Sequence, residues 1–130
     1  MTTPSRKQRE DWPAIGTDIL LIVVFAIIGM RNHDAALTAG DVAWTALPFA
    51  AGALITHLIL FYRKVNVRGL VPGVIVWLGT WILGMLLRAV TGGGTPWEFV
   101  AIGGAFLALF LLGWRLIRWF VLRVRTPKES

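Results

Sequence analysis

Three ionisable side chains stand inside or at the ends of otherwise apolar runs: Asp18, His57 and Arg88. Ionisable groups in such settings are expensive to bury, and they mark the places where function or a structural pairing must be sought. Asp18 falls one or two turns inside the first run, where a carboxylate is also favoured by the start of a helix. His57 falls more than a turn inside the second run, at a similar depth from the same end. If the runs are helices that alternate in direction, Asp18, His57 and Arg115 are free to meet. An Asp–His pair at that depth is able to relay protons, and it is equally able to serve as a hydrogen-bonded structural pair.

Arg88 belongs to the opposite end. An arginine in an apolar phase must reach outward or pair with an acid, and the acids on that side are Asp34, Asp41 and Glu98. Together with Arg31 and His33 they define a candidate outer cluster. It reads either as a solvated interfacial ion network or as an anion- or substrate-binding mouth. Arg88 also closes a stripe, Gly73, Trp77, Thr80, Gly84 and Arg88, whose steps of four, three, four and four place it on one helix face. Small residues let a second helix approach, so the stripe is expected to be a helix–helix seam. The alternative is a polar path or ligand groove. The mid-helix indole N–H groups of Trp77 and Trp81, which need partners, suit that alternative.

Other chemistries are poorly served. The chain has no cysteine, which removes disulfides, thiolate metal sites and thiol nucleophiles. His33 and His57 lie on opposite sides, so they cannot share a metal, and no metal or cofactor is expected. The only serines, Ser5 and Ser130, lie in the tails, which excludes a serine triad within the apolar runs. Gly92 to Gly94 lacks the lysine and the preceding strand of a phosphate-binding loop. With no paired carboxylates at one depth either, the chain reads as non-enzymatic.

The elements that must position these residues follow from charge and hydropathy. Of 130 residues, 56% are hydrophobic and only 15% charged, and the mean hydropathy is +0.69. That is too little charge to coat a soluble four-helix domain. No Asp, Glu, Lys or Arg occurs between Ile19 and Met30, Val71 and Leu87, or Phe99 and Trp114, so these runs are apolar on every face. The expected fold is an all-α membrane protein, a four-transmembrane-helix bundle with spans at about 14–30, 42–61, 70–90 and 97–116. A tail over 1–13 precedes it and a basic tail over 117–130 follows it. Trp12-Pro13 suits a helix start, and the run Thr91 to Pro96 is a helix breaker.

Sidedness follows from the cations. Eleven of the thirteen Lys and Arg residues fall in the N-terminal tail, the loop with Arg63, Lys64 and Arg68, and the C-terminal end from Arg115. The positive-inside rule makes that side cytoplasmic, with both termini there and the plasma (inner) membrane as location. Trp12, Tyr62, Trp114 and Trp119 then mark the inner interface, and Trp44 and Trp97 the outer one. The net charge of +6 serves anionic lipid headgroups rather than nucleic acid.

The landmarks Asp18, Phe25-Ala26, Gly29, Arg31 and His33 resemble those of a family of small four-span bacterial and archaeal membrane proteins of unknown function. Trp44-Thr45, Pro48-Phe49, Gly52, Trp77, Thr80 and the run Gly84 to Arg88 belong to the same likeness, as do Phe106 and the run Leu111 to Arg115. The resemblance implies the fold and the membrane location, and no activity. Two roles are expected to compete. One is a structural or accessory bundle that packs with itself or another membrane complex, suggested by Gly73/Gly84, Gly52/Thr56 and Gly103/Gly104/Ala108. The other is a subunit of a small-solute or ion transporter or channel that uses the stripe on the third span.

Overall fold

An α-helix satisfies its own backbone, so an apolar run with polar punctuation at its ends folds as a helix wherever water is scarce. The computed structural model describes residues 11–32 and 38–125, and shows four such helices and no strand among them. They are α1 (Asp11–Asn32), α2 (Ala39–Tyr62), α3 (Leu70–Val90) and α4 (Trp97–Arg125). Each is long and apolar enough to cross a bilayer; at 1.5 Å per residue even the shortest extends roughly 30 Å.

The helix ends show local chemistry at work. Thr38 caps α2: its hydroxyl accepts from the Asp41 amide at 3.1 Å and donates to the Asp41 carboxylate at 2.7 Å. Such reciprocal capping starts the helix three residues before the expected Val42. The C-termini of α2 and α3 close with the same pair of backbone bonds. Val65 N–H reaches Leu60 O and Lys64 N–H reaches Phe61 O; Gly93 N–H reaches Arg88 O and Gly92 N–H reaches Ala89 O. This motif demands a left-handed residue after the cap. Gly92 supplies it with φ +88°, and Lys64 adopts it against its own Cβ with φ 59°. At the other extreme α4 does not stop near residue 116 but continues to Arg125. Nothing in residues 115–125 breaks a helix, and residues 117–125 of the segment expected as a tail form its last turns.

Packing is closest between α2 and α3, then between α3 and α4 and between α1 and α2; the seam between α1 and α4 is thinner than these three. The close approaches occur at glycines. A Cβ on Gly84 would collide with the Phe49 ring, and one on Gly104 with the Trp81 indole. One core cluster gathers Ile22, Phe25, Ala26, Ala46, Phe49, Ala53 and Leu107. A second, toward the other end, gathers Ala14, Leu60, Val67, Val76 and Leu111. The outside is as apolar as the inside: Leu20, Leu47, Leu58, Val71, Ile82, Leu86, Ile102 and Leu109 are all exposed. That surface suits lipid, not water.

Candidate functional site

Asp18 on α1 is completely buried, and so is Arg115 on α4. They meet in a bidentate pair, with Arg115 Nη1 donating to Asp18 Oδ1 at 2.8 Å and Nη2 to Oδ2 at 2.7 Å. The Trp114 indole N–H donates to Oδ1 at 2.8 Å, and His57 Nε2 on α2 lies 2.7 Å from Oδ2. An ionised carboxylate offers about four acceptor positions, and here all four are filled. Arg115 is nearly as well matched: Nε donates to Val67 O at 2.8 Å and Nη1 also to Leu111 O at 2.9 Å. Its guanidinium lies 4.5 Å over the Trp114 ring. The turn between α2 and α3 thus folds Val67 under the cluster as a floor.

Local sequence explains the fit. Gly73 leaves the space through which the arginine passes, since a Cβ there would collide with Arg115 Cδ. The charges balance as well. One carboxylate and one guanidinium cancel, and since the Asp18 carboxylate accepts, His57 Nε2 donates to it, with Nδ1 on the far side of the ring. That Nδ1 is buried without a hydrogen-bond partner, as is the hydroxyl of Thr80 on α3. The two residues directly follow Thr56 and Gly79, which touch where α2 crosses α3: a Cβ on Gly79 would overlap Thr56.

The stripe on α3 divides. Trp77 donates to Gly104 O at 2.8 Å and Trp81 to Val100 O at 3.0 Å, their rings stacked 5.6 Å apart. Both indoles therefore find their partners on the α4 backbone. Gly84 faces Phe49 on α2, Gly73 faces Arg115 on α4, and Thr80 is wholly buried. Of the small residues named as sites for a partner, the glycines Gly52, Gly73, Gly84, Gly103 and Gly104 have close neighbours within the protomer, and Thr56 lies against Gly79.

Arg88 reaches an open cavity of about 710 Å³ at the other end, shared with Phe25, Gly29, Asp41, Trp44, Glu98 and Phe99. Of its expected acidic partners, neither Asp41 nor Glu98 forms an ion pair with it, and Asp34 lies outside the described residues. Instead Nε donates to Gly94 O at 2.8 Å, and the guanidinium lies 4.5 Å over the Phe99 ring. A carbonyl and an aromatic face satisfy it in part. Asp41 is engaged in capping α2, and Glu98 stands exposed in the first turn of α4. Of the remaining cluster, Arg31 lies in the last turn of α1, and its side chain, like His33 and Asp34, falls outside the described residues.

A family model described as a protein of unknown function, DUF3054, matches residues 15–118. The chain belongs to the DUF3054 family. No curated protein and no solved structure matches it. The matched segment of this DUF3054 member contains every residue of the Asp18 cluster and every described residue lining the Arg88 cavity. Trp114 is the member of the cluster that sequence reasoning misses, having assigned it to the membrane interface. Its position beside Arg115, at the depth of Asp18, is the signal that points inward. Among the described residues no three His, Asp or Glu side chains gather as a metal set.

Proposed function

We propose that this protein lies in the plasma membrane with both termini and the turn between α2 and α3 in the cytoplasm, and acts as a structural or accessory bundle. The placement rests on charge. The contacts of Asp18 with His57 and Arg115, and of Arg115 with Val67, bring the start of α1, the end of α2, the 63–69 turn and the end of α4 to one end. That end carries Arg63, Lys64, Arg68, Arg118, Arg123 and Arg125, a positive-inside pattern able to rest on anionic headgroups. Exposed Trp12, Tyr62 and Trp119 mark its interface, and Trp44 and Trp97 mark the other.

The observation that carries the accessory role is the closed interior. Ile22, Phe49, Val76, Thr80, Leu107 and Leu111 are all without solvent exposure, so the centre of the bundle is filled by packed side chains. A conduit through one protomer needs a hydrated lining, and the Trp77 and Trp81 indoles of α3 that would contribute to it are turned onto the α4 backbone. What remains for interaction is the apolar exterior, which a second copy or another membrane protein is able to cover. The reading includes no catalytic step, cofactor or metal.

Purification in mild detergent tests it. A stable partner, or a homo-oligomer, is expected to copurify, and liposomes holding the protein should pass none of a panel of ions and small solutes. A lone, monodisperse protomer that conducts a solute would overturn the reading. The Arg88 cavity favours the second reading, a small-solute or ion transporter or channel subunit, which with four helices requires a homo-oligomer. Under it, Arg88→Ala abolishes a flux that the unaltered protein supports.

A further inference from the structure

The cavity at Arg88 does not end at the helix tips. Phe25, Gly29, Glu98 and Phe99 also line a second hollow of about 200 Å³, whose other walls include Ile102, Gly103, Phe106 and Phe110. The two form one trough along the thin seam between α1 and α4, polar at its mouth and apolar along its length. The room is real at Gly29, where an added Cβ would meet nothing within 4 Å. The larger hollow alone is within the ~300–1,000 Å³ range of ligand sites.

Charge at the mouth narrows the occupant. Arg88 uses Nε on Gly94 O and its face on Phe99, and its two terminal amino groups have no partner among the described residues. They present a fork suited to the oxygens of a phosphate. Yet the same mouth carries two carboxylates, Asp41 and Glu98. A purely anionic ligand would meet more repulsion than attraction. Among the described residues the mouth carries one cation and two acids, which together complement a head that bears a phosphate and an ammonium.

We propose that the trough between α1 and α4 binds a zwitterionic phospholipid, its phosphate on Arg88, its ammonium toward Glu98 and Asp41, and one acyl chain along Phe25, Ile102, Phe106 and Phe110. The site depends on the bundle lying in a bilayer, and not on whether the protein assembles with a partner or passes a solute. It is read by lipid retention, so its failure is separable from failure of either functional reading.

Native mass spectrometry of the full chain, released from mixed vesicles of phosphatidylethanolamine and phosphatidylglycerol, tests it. The unaltered protein is expected to retain one phosphatidylethanolamine in preference to phosphatidylglycerol. A charge-assisted hydrogen bond contributes about 1.5–3 kcal/mol, so Arg88→Gln should cut that retention roughly tenfold or more. Glu98→Gln should shift the preference toward phosphatidylglycerol. Gly29→Leu fills the trough from a position with free space, and should displace the lipid while circular dichroism melting stays as in the unaltered protein. Water-soluble phosphorylethanolamine, which has the head and no chain, should fail to compete at the same concentration. Equal retention of the two lipids, or undiminished retention in both Arg88→Gln and Gly29→Leu, would overturn the proposal.

Discussion

Two arginines, one at each end of the bundle, show two ways of keeping a cation in an apolar fold. Arg115 is wholly enclosed, and is matched by a carboxylate that is itself saturated with donors. Arg88 is half-buried, held by one carbonyl and an aromatic ring, and its terminal N–H groups, facing a cavity, have no partner among the described residues. A burial cost met in full by partners produces a rigid joint. One met in part produces a place where something else can bind. The comparison separates the molecule into an end that fixes the helices and an end that keeps room.

Breaking the joint should have the largest effect. Arg115→Met leaves Asp18 buried without its counter-charge, and removing one partner of a buried pair costs on the order of 3–5 kcal/mol. Thermal unfolding in detergent should show the loss, and the double variant Asp18→Leu/Arg115→Met should recover much of it, because the desolvation cost of both charges disappears. A double variant no more stable than the single would mean that the cluster stabilises the bundle beyond offsetting its own burial.

Next comes a contrast in free space. Gly73→Ala drives a methyl into the path of Arg115 and should destabilise by about 1–3 kcal/mol, as overpacking does. Gly29→Ala enters open space, and helix preference alone should make it neutral or stabilising by up to about 1 kcal/mol. Similar losses at both glycines, measured by the same melts, would erase the distinction between the two ends.

Smaller effects sharpen the picture. Arg88→Gln removes one hydrogen bond and one cation–π contact at a partly open site, and should lower stability by about 1 kcal/mol, well below the change at Arg115. Smallest is Lys64→Gly. The left-handed backbone at Lys64 suits glycine, and the exchange should stabilise by up to about 1 kcal/mol. A decrease in stability would show that the lysine side chain outweighs its backbone strain.

The helices were legible because a run without Asp, Glu, Lys or Arg cannot hide its apolar faces in so short a chain. Their ends were less so. Thr38 capping onto Asp41 extends α2 backward, and α4 runs on through Arg118 and Arg123, where the sequence suggested a tail. Depth along the helices allowed Asp18, His57 and Arg115 to meet, but azimuth decides contact, and only packing sets azimuth. For the same reason Trp114 passed for an interfacial residue. The glycines were legible as points of close approach, yet composition does not distinguish a neighbour within the protomer from one in another copy. Arg88 shows the limit of matching charges by type, since Gly94 O and the Phe99 face have no sign to read in a sequence.

The bond between Asp18 and Arg115 joins residues 97 positions apart, on the first and last helices. A nascent chain therefore delivers its acid to the insertion machinery long before the matching base has been synthesised. Until the fourth helix enters, that acid has no arginine to neutralise it, and a chain stopped after the third helix presents an open polar wound to its surroundings. Closure of the joint therefore waits on the fourth helix, and a chain cut before Arg115 keeps Asp18 without its counter-charge.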